Sequence, residues 1–516
     1  MMIRSLTALL VLLFLSTDIG YTQEPTYLGS IPSDTINSLF GTSILPLGDQ
    51  NDDGCADVLV WDYRQVAQLF LGGESVDLNP FVRINNIQIT WSTVGDVNSD
   101  NHDDIAVPFA GSSEARLDLL YGGPSIDSTV DRRLGVDSLN SGYLRAIRGT
   151  DIDGNGSEEI ITQNSQFFDA RIVFYDLLPT GDSVPDLVFG PGPALQPFLL
   201  FGERICVGDF NGDGDPDLAA SWRSSSNSER GAAVLYWGGL LWDTVPDLII
   251  SRPGGYISGS ENFAREVLCS PGDLNGDGVD DLVVGSSHSR DDTLTFVFFG
   301  GPTIDTMPDV TIYQEIDLVS PGGDINNDGY VDIVTSYVGE GLVSLYYGGP
   351  DFDGLCDFRI RKSDLPGLHF EFGMFCTGIG DYNGDGIDDF AFSGVNVQSG
   401  TVYIYAGFDG STGNGGGGDG DVLPVDYELV QNYPNPFNPT TTISFTLPQK
   451  ASVELTVYNV LGRKVSTLLS KDLPAGTHTV GWNGTDSHGE AVSSGVYFYR
   501  LTAGEAVLSR KMVLAR

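Results

Sequence analysis

A nine-residue acidic pattern recurs seven times in this chain, and no other feature restricts its folding as much. The copies begin at Asp49, Asp96, Asp151, Asp209, Asp273, Asp324 and Asp381, 47 to 64 residues apart, each with carboxylate or amide at positions 1, 3, 5 and 9. A period of this length marks a supersecondary unit that buries its apolar face only against its neighbours. The oxygen sets are Asp49, Asn51, Asp53, Asp57; Asp96, Asn98, Asp100, Asp104; Asp151, Asp153, Asn155, Glu159; and Asp209, Asn211, Asp213, Asp217. The remaining three are Asp273, Asn275, Asp277, Asp281; Asp324, Asn326, Asp328, Asp332; and Asp381, Asn383, Asp385, Asp389. Oxygens at alternate positions of a tight loop, with a turn residue such as Gly278 and a backbone carbonyl at position 7, suit a hard cation. Three carboxylates per loop and side-chain oxygens alone at positions 1, 3, 5 and 9 favour Ca2+ over zinc or copper, so up to seven structural calcium ions are expected.

An EF-hand begins with the same spacing but needs a bidentate Glu at position 12 and a following helix. Position 12 here is Val60, Val107, Thr162, Ala220, Val284, Thr335 or Phe392, and apolar β-rich runs such as Leu282-Val283-Val284 follow the loops. Each loop therefore leads into a buried strand. The fifth copy shows the whole unit: Val267 to Ser270, the loop, Asp281 to Gly285, Leu294 to Phe299 with Gly300-Gly301-Pro302, then Pro308 to Ile312. The aromatic strand with its double glycine returns at Gly72-Gly73, Gly122-Gly123, Gly238-Gly239 and Gly348-Gly349. Four strands per repeat, seven times, predict an all-β protein: a seven-bladed β-propeller over 26–408 followed by a small Ig-like β-sandwich. The seventh repeat has a third strand, Thr401 to Tyr405, but no fourth; the unpartnered Thr26 to Ile31 is expected to fill that place.

Phe-Gly pairs ahead of the loops (Phe40-Gly41, Phe201-Gly202, Phe372-Gly373), the D-x-N-x-D-G-x-x-D loops and the G-G-P turn resemble the FG-GAP repeats of the integrin α-subunit propeller and its bacterial relatives. The third copy departs most, with Asp176-Leu177-Leu178 in place of the double glycine. The resemblance implies structural calcium loops on one face and partner binding on the other. On that other face the longest loops are Trp222 to Gly231, Ser251 to Asn262 and Ser286 to Asp292. They bring together Trp222, Arg223, Arg230, Arg252, Tyr256, His288 and Arg290, the expected contact for an extracellular protein or glycan, although long loops are also simply tolerated at a surface.

Seventy acidic residues against 26 basic ones give a net charge of −44, which argues against nucleic acid or an anionic membrane as partner. Arg4 followed by the apolar stretch Leu6 to Leu15 reads as a secretory leader, 1–22, too short to span a bilayer. No later stretch is long and apolar enough to anchor the mature chain, and the first cysteine, Cys55, lies too far on to carry a lipid. Five cysteines make no disulfide framework and read mostly as small buried hydrophobes, with Cys356 and Cys376, read as lying on neighbouring strands, as the minority alternative of a pair.

A Gly-rich linker, 409–424, separates a module at 425–516 with the opposite charge balance: eight basic and seven acidic residues, net +1, leaving −45 for the rest. Its alternating runs (Thr442 to Leu447, Val453 to Asn459, His478 to Trp482, Gly495 to Leu501, Val507 to Leu514) predict a small sandwich. Asn432 to Thr440 (NYPNPFNPT), Val457-Tyr458-Asn459, Trp482-Asn483-Gly484, Ser494 to Tyr497 and Lys511 to Leu514 resemble the type A sorting domain of the bacterial type IX secretion system. That resemblance implies export by the type IX machinery through residues 425–516, and a secreted or outer-surface location. His102, His288, His369, His478 and His488 form no catalytic motif, so binding or adhesion is expected rather than catalysis. The alternative is a secreted polysaccharide-cleaving enzyme, since paired glycosidase carboxylates leave little sequence trace.

Overall fold

The computed structural model describes residues 24–515 apart from stretches between elements. The longest of these are 34–38, 74–78, 86–92, 137–142, 153–158, 166–170, 177–186, 191–197, 225–230, 254–262, 286–293, 366–370 and 411–426. The leader and most of the linker thus lie outside the described residues. Regular structure among the described residues is almost wholly β, with one short 3-10 turn at Lys362–Asp364. No described helix is long and apolar enough to cross a membrane.

Seven four-stranded antiparallel sheets are seen among the described residues before the linker. Six run in sequence order over 43–85, 93–136, 143–189, 198–251, 267–312 and 318–361. Each acidic loop joins the first strand of its sheet to the second. Middle strands are buried on both faces, which is why they read as continuous apolar runs: Asp281–Gly285, Thr295–Phe298 and Ala232–Tyr236 are buried throughout. The fourth strands, such as Leu248–Ser251, are only partly covered.

The seventh sheet combines Glu371–Gly380, Asp389–Val395 and Gly400–Ala406 with Thr26–Pro32. Thr26 pairs with Ala406 and Pro32 with Thr401, so the early strand supplies the missing fourth position as its sequence suggested. Apolar side chains fill the space between successive sheets: Leu59 with Ile105, Leu117 with Ile160, Phe174 with Phe201, Ile250 with Phe296, Val283 with Ile333. One cluster then joins Val334 of the sixth sheet, Phe372 and Phe392 of the seventh, and Ile44 and Val58 of the first. The packing order closes on itself.

The Phe-Gly pairs have a packing explanation. Phe40, Phe201 and Phe372 are fully buried, and the following glycine kinks the first strand at positive φ, +85° at Gly41 and +73° at Gly373. A Cβ at Gly41 would sit 2.9 Å from the Ser393 Cβ of the seventh sheet.

Beyond the linker two sheets face each other, Glu428–Leu429/Thr441–Leu447/Gly476–Trp482 and Lys464–Leu473/Ala451–Asn459/Gly495–Ala503/Ala506–Leu514. Their shared core holds Phe445, Leu455, Trp482, Tyr499 and Met512. The strand Lys464–Leu473 escapes the sequence reading because its pairing with Ala451–Asn459 shifts register twice, which breaks the alternation. Asn435 and Phe437 of the NYPNPFNPT segment are tied to this core. Asn435 Oδ1 accepts the Val513 N–H at 2.7 Å, Phe437 N–H donates to the Val513 carbonyl, and the Phe437 ring lies 5.5 Å from Trp482.

Two expectations are corrected. All five cysteines are free; the Cys376 Sγ lies 3.8 Å from the Val334 carbonyl oxygen and the Cys356 Sγ 3.2 Å from that of Phe358. Trp222 is no loop residue: the second strand of the fourth sheet runs on through Asp217–Ser224, pairs Trp222 with Ala232, and buries its ring to 7% exposure. The strand DLAASWRS has no β-branched residue, and packing of Trp222 on Phe201 carries it further than the sequence suggested.

Candidate metal loops

Six of the seven loops are described at every proposed ligand position; in the third, Asp153 and Asn155 lie outside the described residues. The six share one hydrogen-bond scheme. The position-1 carboxylate accepts the N–H groups of positions 5 and 6, for example Asp277 N–H at 3.0 Å and Gly278 N–H at 2.8 Å on Asp273. Position 6 adopts positive φ in all six, +88° at Gly278 and +71° at Asn101, where the second loop has asparagine. Position 5 accepts the N–H of position 7, as Asp277 does from Val279 at 3.0 Å.

Position 9 is fully buried in these six loops and bridges two elements. Asp281 accepts Leu274 N–H from its own loop at 2.9 Å and Gly300 N–H from the turn after the third strand at 2.8 Å. Asp57, Asp104, Asp217, Asp332 and Asp389 repeat this with Gly72, Gly122, Gly238, Gly348 and Gly407. That bridge accounts for the first glycine of the double-glycine motif, because a Cβ there would run into the carbonyl of position 8, Ala56, Asp103, Pro216, Asp280, Val331 or Asp388.

Electrostatically these loops are unbalanced. Burial pushes Asp57 up to about 6, Asp104, Asp217, Asp281 and Asp389 up to about 7, and Asp332 up to about 8; the N–H donors pull them down without offsetting it. The carboxylate at position 5 of the same loop adds to the rise in each case. An ionised group in such a place calls for a counter-charge.

The donor chemistry fits a hard cation at one further point: Asn98 Oδ1, at position 3 of the second loop, is buried without a hydrogen-bond partner while its Nδ2 donates to Asp100. Asn51, Asn275 and Asn326 likewise donate to position 5, at 2.9 to 3.0 Å, and a half-turn of each amide would present oxygen instead. Among the described residues no three Asp, Glu, His or Cys side chains already converge as a metal cluster; the loop carboxylates are turned onto loop N–H groups.

The loops also join neighbouring sheets. The N–H of the second turn residue donates to the position-2 carbonyl of the preceding loop: Gly239 to Ile152, Gly301 to Phe210, Gly349 to Leu274, Phe408 to Ile325 and, across the closure, Gly73 to Tyr382, at 2.7 to 2.9 Å. Between the first and second sheets a side chain replaces the carbonyl. Gln50 Oε1 accepts Gly123 N–H at 2.8 Å, and its Nε2 donates to the carbonyls of Leu47 and Asp103 at 2.6 and 3.1 Å.

A second acidic repeat follows the double glycines, at Asp127/Asp131, Asp243/Asp247, Asp305/Asp309 and Asp353/Asp357. The later member caps the turn, as Asp309 does by accepting Phe299 N–H at 2.8 Å, and the earlier one accepts an N–H two residues on. Its D-x-x-x-D spacing after four of the five G-G pairs was readable in sequence. Of the expected partner-binding residues, Trp222 is core, Arg223 stands opposite Leu200 of the neighbouring strand, and Arg252 is half-buried beside Pro253. Arg230, Tyr256, His288 and Arg290 lie outside the described residues.

The FG-GAP repeat family model matches residues 201–233, which hold Phe201-Gly202 and the fourth loop, and the FlgD Ig-like domain model matches residues 434–506. Integrin alpha-PS3 of Drosophila melanogaster is 30% identical over 168 residues, covering 29% of this chain and 14% of that protein. Human phosphatidylinositol-glycan-specific phospholipase D is 31% identical over 125 residues, covering 21% and 13%, and integrin alpha pat-2 of Caenorhabditis elegans 26% over 227, covering 37% and 18%. The chain thus spans less than a fifth of the length of these relatives. Among solved structures it is similar to PorZ, a surface component of the type-IX secretion system of Porphyromonas gingivalis (15% identity, 96% of this chain, 59% of that one, TM-score 0.40). It is similar too to Saccharomyces cerevisiae Sqt1 (11% identity, 71% and 84%, TM-score 0.41). The repeat region thus carries an FG-GAP match and is similar to integrin α chains over part of its length, and the C-terminal module matches an Ig-like domain.

Proposed function

We propose that the chain is a secreted or surface-exposed seven-bladed propeller, loaded with structural calcium, that acts as a binding or adhesion module. The seven sheets are its blades. Aspartates and asparagines at positions 1, 3, 5 and 9 of each loop would hold the ion together with the position-7 carbonyl, and the cation would supply the charge that the buried position-9 carboxylates lack. The observation that carries this reading is the six-fold recurrence of a fully buried aspartate raised to between about 6 and about 8 beside further carboxylates of its own loop. The C-terminal sandwich is the export address, read by the type IX secretion machinery, and its sequence motif supports that role. The partner of the propeller is an extracellular protein or glycan. Integrin α relatives and the scatter of the histidines, with His102 between Asp52 and Asp100 and His478 against Phe445, favour binding over catalysis.

The test is thermal melting of the full secreted chain in chelator and in millimolar calcium, the range in which weak extracellular sites fill. A higher midpoint in calcium is expected, and magnesium at equal concentration should give less. Superimposed melting curves would refute the reading.

A further inference from the structure

Five of the hydrogen bonds between sheets share one form: the position-2 carbonyl of a loop receives the N–H of the turn residue that follows the next sheet's third strand. That turn is itself fixed by the next sheet's position-9 aspartate, through the N–H of its preceding glycine. Loop, turn and next loop therefore form a chain of direct contacts. Position 2 is buried in all of these loops, as Ile152, Phe210, Leu274, Ile325 and Tyr382, so its carbonyl has little freedom once the loop is ordered. At the junction of the first and second sheets the link runs through Gln50, 1% exposed, which ties the first loop to Gly123 and to the position-8 carbonyl of the second.

We propose that the acidic loops are coupled sites that fill with calcium cooperatively across these six linked junctions, and that Gln50 is the positioning residue transmitting this coupling between the first and second loops. The proposal rests on the calcium reading above. A cation that orders one loop fixes its position-2 residue and so holds the next sheet's double-glycine turn, where the next loop's position-9 carboxylate is anchored. The next loop then loses less freedom on binding its own ion, which is positive coupling without a large change of shape. Backbone carbonyls supply the link at five junctions and cannot be removed by substitution. At the Gln50 junction the link can be removed, because it is a side chain.

The experiment uses the full chain, stripped with chelator and titrated with calcium, with the isotherm followed by calorimetry and amide exchange followed by mass spectrometry. The expected wild-type isotherm is steeper than independent sites give. Gln50→Met, similar in volume but without the three hydrogen bonds, should flatten it and weaken the first two loops about fivefold, the equivalent of one lost hydrogen bond. Gln50→Glu, which keeps the acceptor for Gly123, should restore part of the steepness. Should Gln50→Met fail to fold, Asp213→Ala serves, since it disables the fourth loop at an exposed position. Peptides covering residues 299–302 of the fifth sheet should then lose their calcium-dependent protection although their own loop is intact, while peptides covering 347–350, one junction further on, lose less. An isotherm of independent sites, or protection at 299–302 unmoved by Asp213→Ala, overturns the coupling and leaves the calcium reading standing. Absence of any calcium heat or midpoint shift overturns both.

Discussion

Replacing Asp281 by asparagine should change stability in opposite directions with and without calcium. The carboxylate is fully buried and its oxygens take the N–H groups of Leu274 at 2.9 Å, Asn275 at 3.2 Å and Gly300 at 2.8 Å. Burial pushes it up to about 7 from an ordinary value of 3.8, so keeping it ionised in a metal-free loop costs the fold about 4 kcal/mol. The substituted amide would be neutral and would not incur that cost. It keeps one acceptor oxygen, while its Nδ2 faces an N–H group and leaves that donor unsatisfied at about 1–3 kcal/mol. In chelator at pH 8, Asp281→Asn should therefore match the wild type or exceed it by about 1–3 kcal/mol. In saturating calcium the same change removes an anionic ligand as well as an acceptor, and the loss should reach about 2–4 kcal/mol, from the forfeited binding plus the stranded donor. Paired calorimetric melts of both proteins in the two conditions read the effect directly. A loss of the same sign and size in both would show that position 9 is a structural cap with no relation to a cation.

The same carboxylates set a pH dependence in the metal-free protein. Their folded values lie above the unfolded one, so their contribution is fully present below about pH 4 and is lost as pH rises through 6 to 8; the midpoint in chelator should be higher at pH 5 than at pH 8, and calcium should reduce or reverse that slope. A metal-free midpoint that climbs with pH refutes it. In the C-terminal module, Asn435→Ala strands the Val513 N–H and should destabilise the module by about 1–3 kcal/mol, seen as faster proteolysis of the last strand; unchanged cleavage would mean the motif does not clamp it.

Much of this was legible because acidic loops and buried strands write themselves in side chains. The six D-x-N-x-D loops with the D-x-D-x-N third, the apolar strands after them and the unpartnered Thr26–Pro32 are all residue-type signals, and the strands they predicted are present. What was not legible runs through the backbone. The links from Gly301 to Phe210 and from Gly349 to Leu274 use carbonyl acceptors, which leave no trace in residue identity. Gln50 was the readable exception, a polar residue at a position that is otherwise Val97, Ile152, Phe210, Leu274, Ile325 or Tyr382. Trp222 misled because it borders the polar run Arg223 to Glu229, which reads as loop, and its packing against Phe201 leaves no trace in sequence. Lys464–Leu473 was missed because register shifts erase the alternation by which strands are found.

The pairing of Thr26–Pro32 with Gly400–Ala406 also has a consequence in time. A ribosome finishes the early strand long before its partner, and at roughly 5–20 residues per second the wait is on the order of tens of seconds. Over that interval the first sheet can gather the second behind it, but Ile44, Val58 and Phe70 have no seventh sheet to cover them until Phe372, Phe392 and Tyr403 are made. A nascent chain stalled before residue 400 would therefore expose an apolar flank and an unpaired strand at its oldest end, a natural place for a chaperone to hold or for a second nascent copy to mispair.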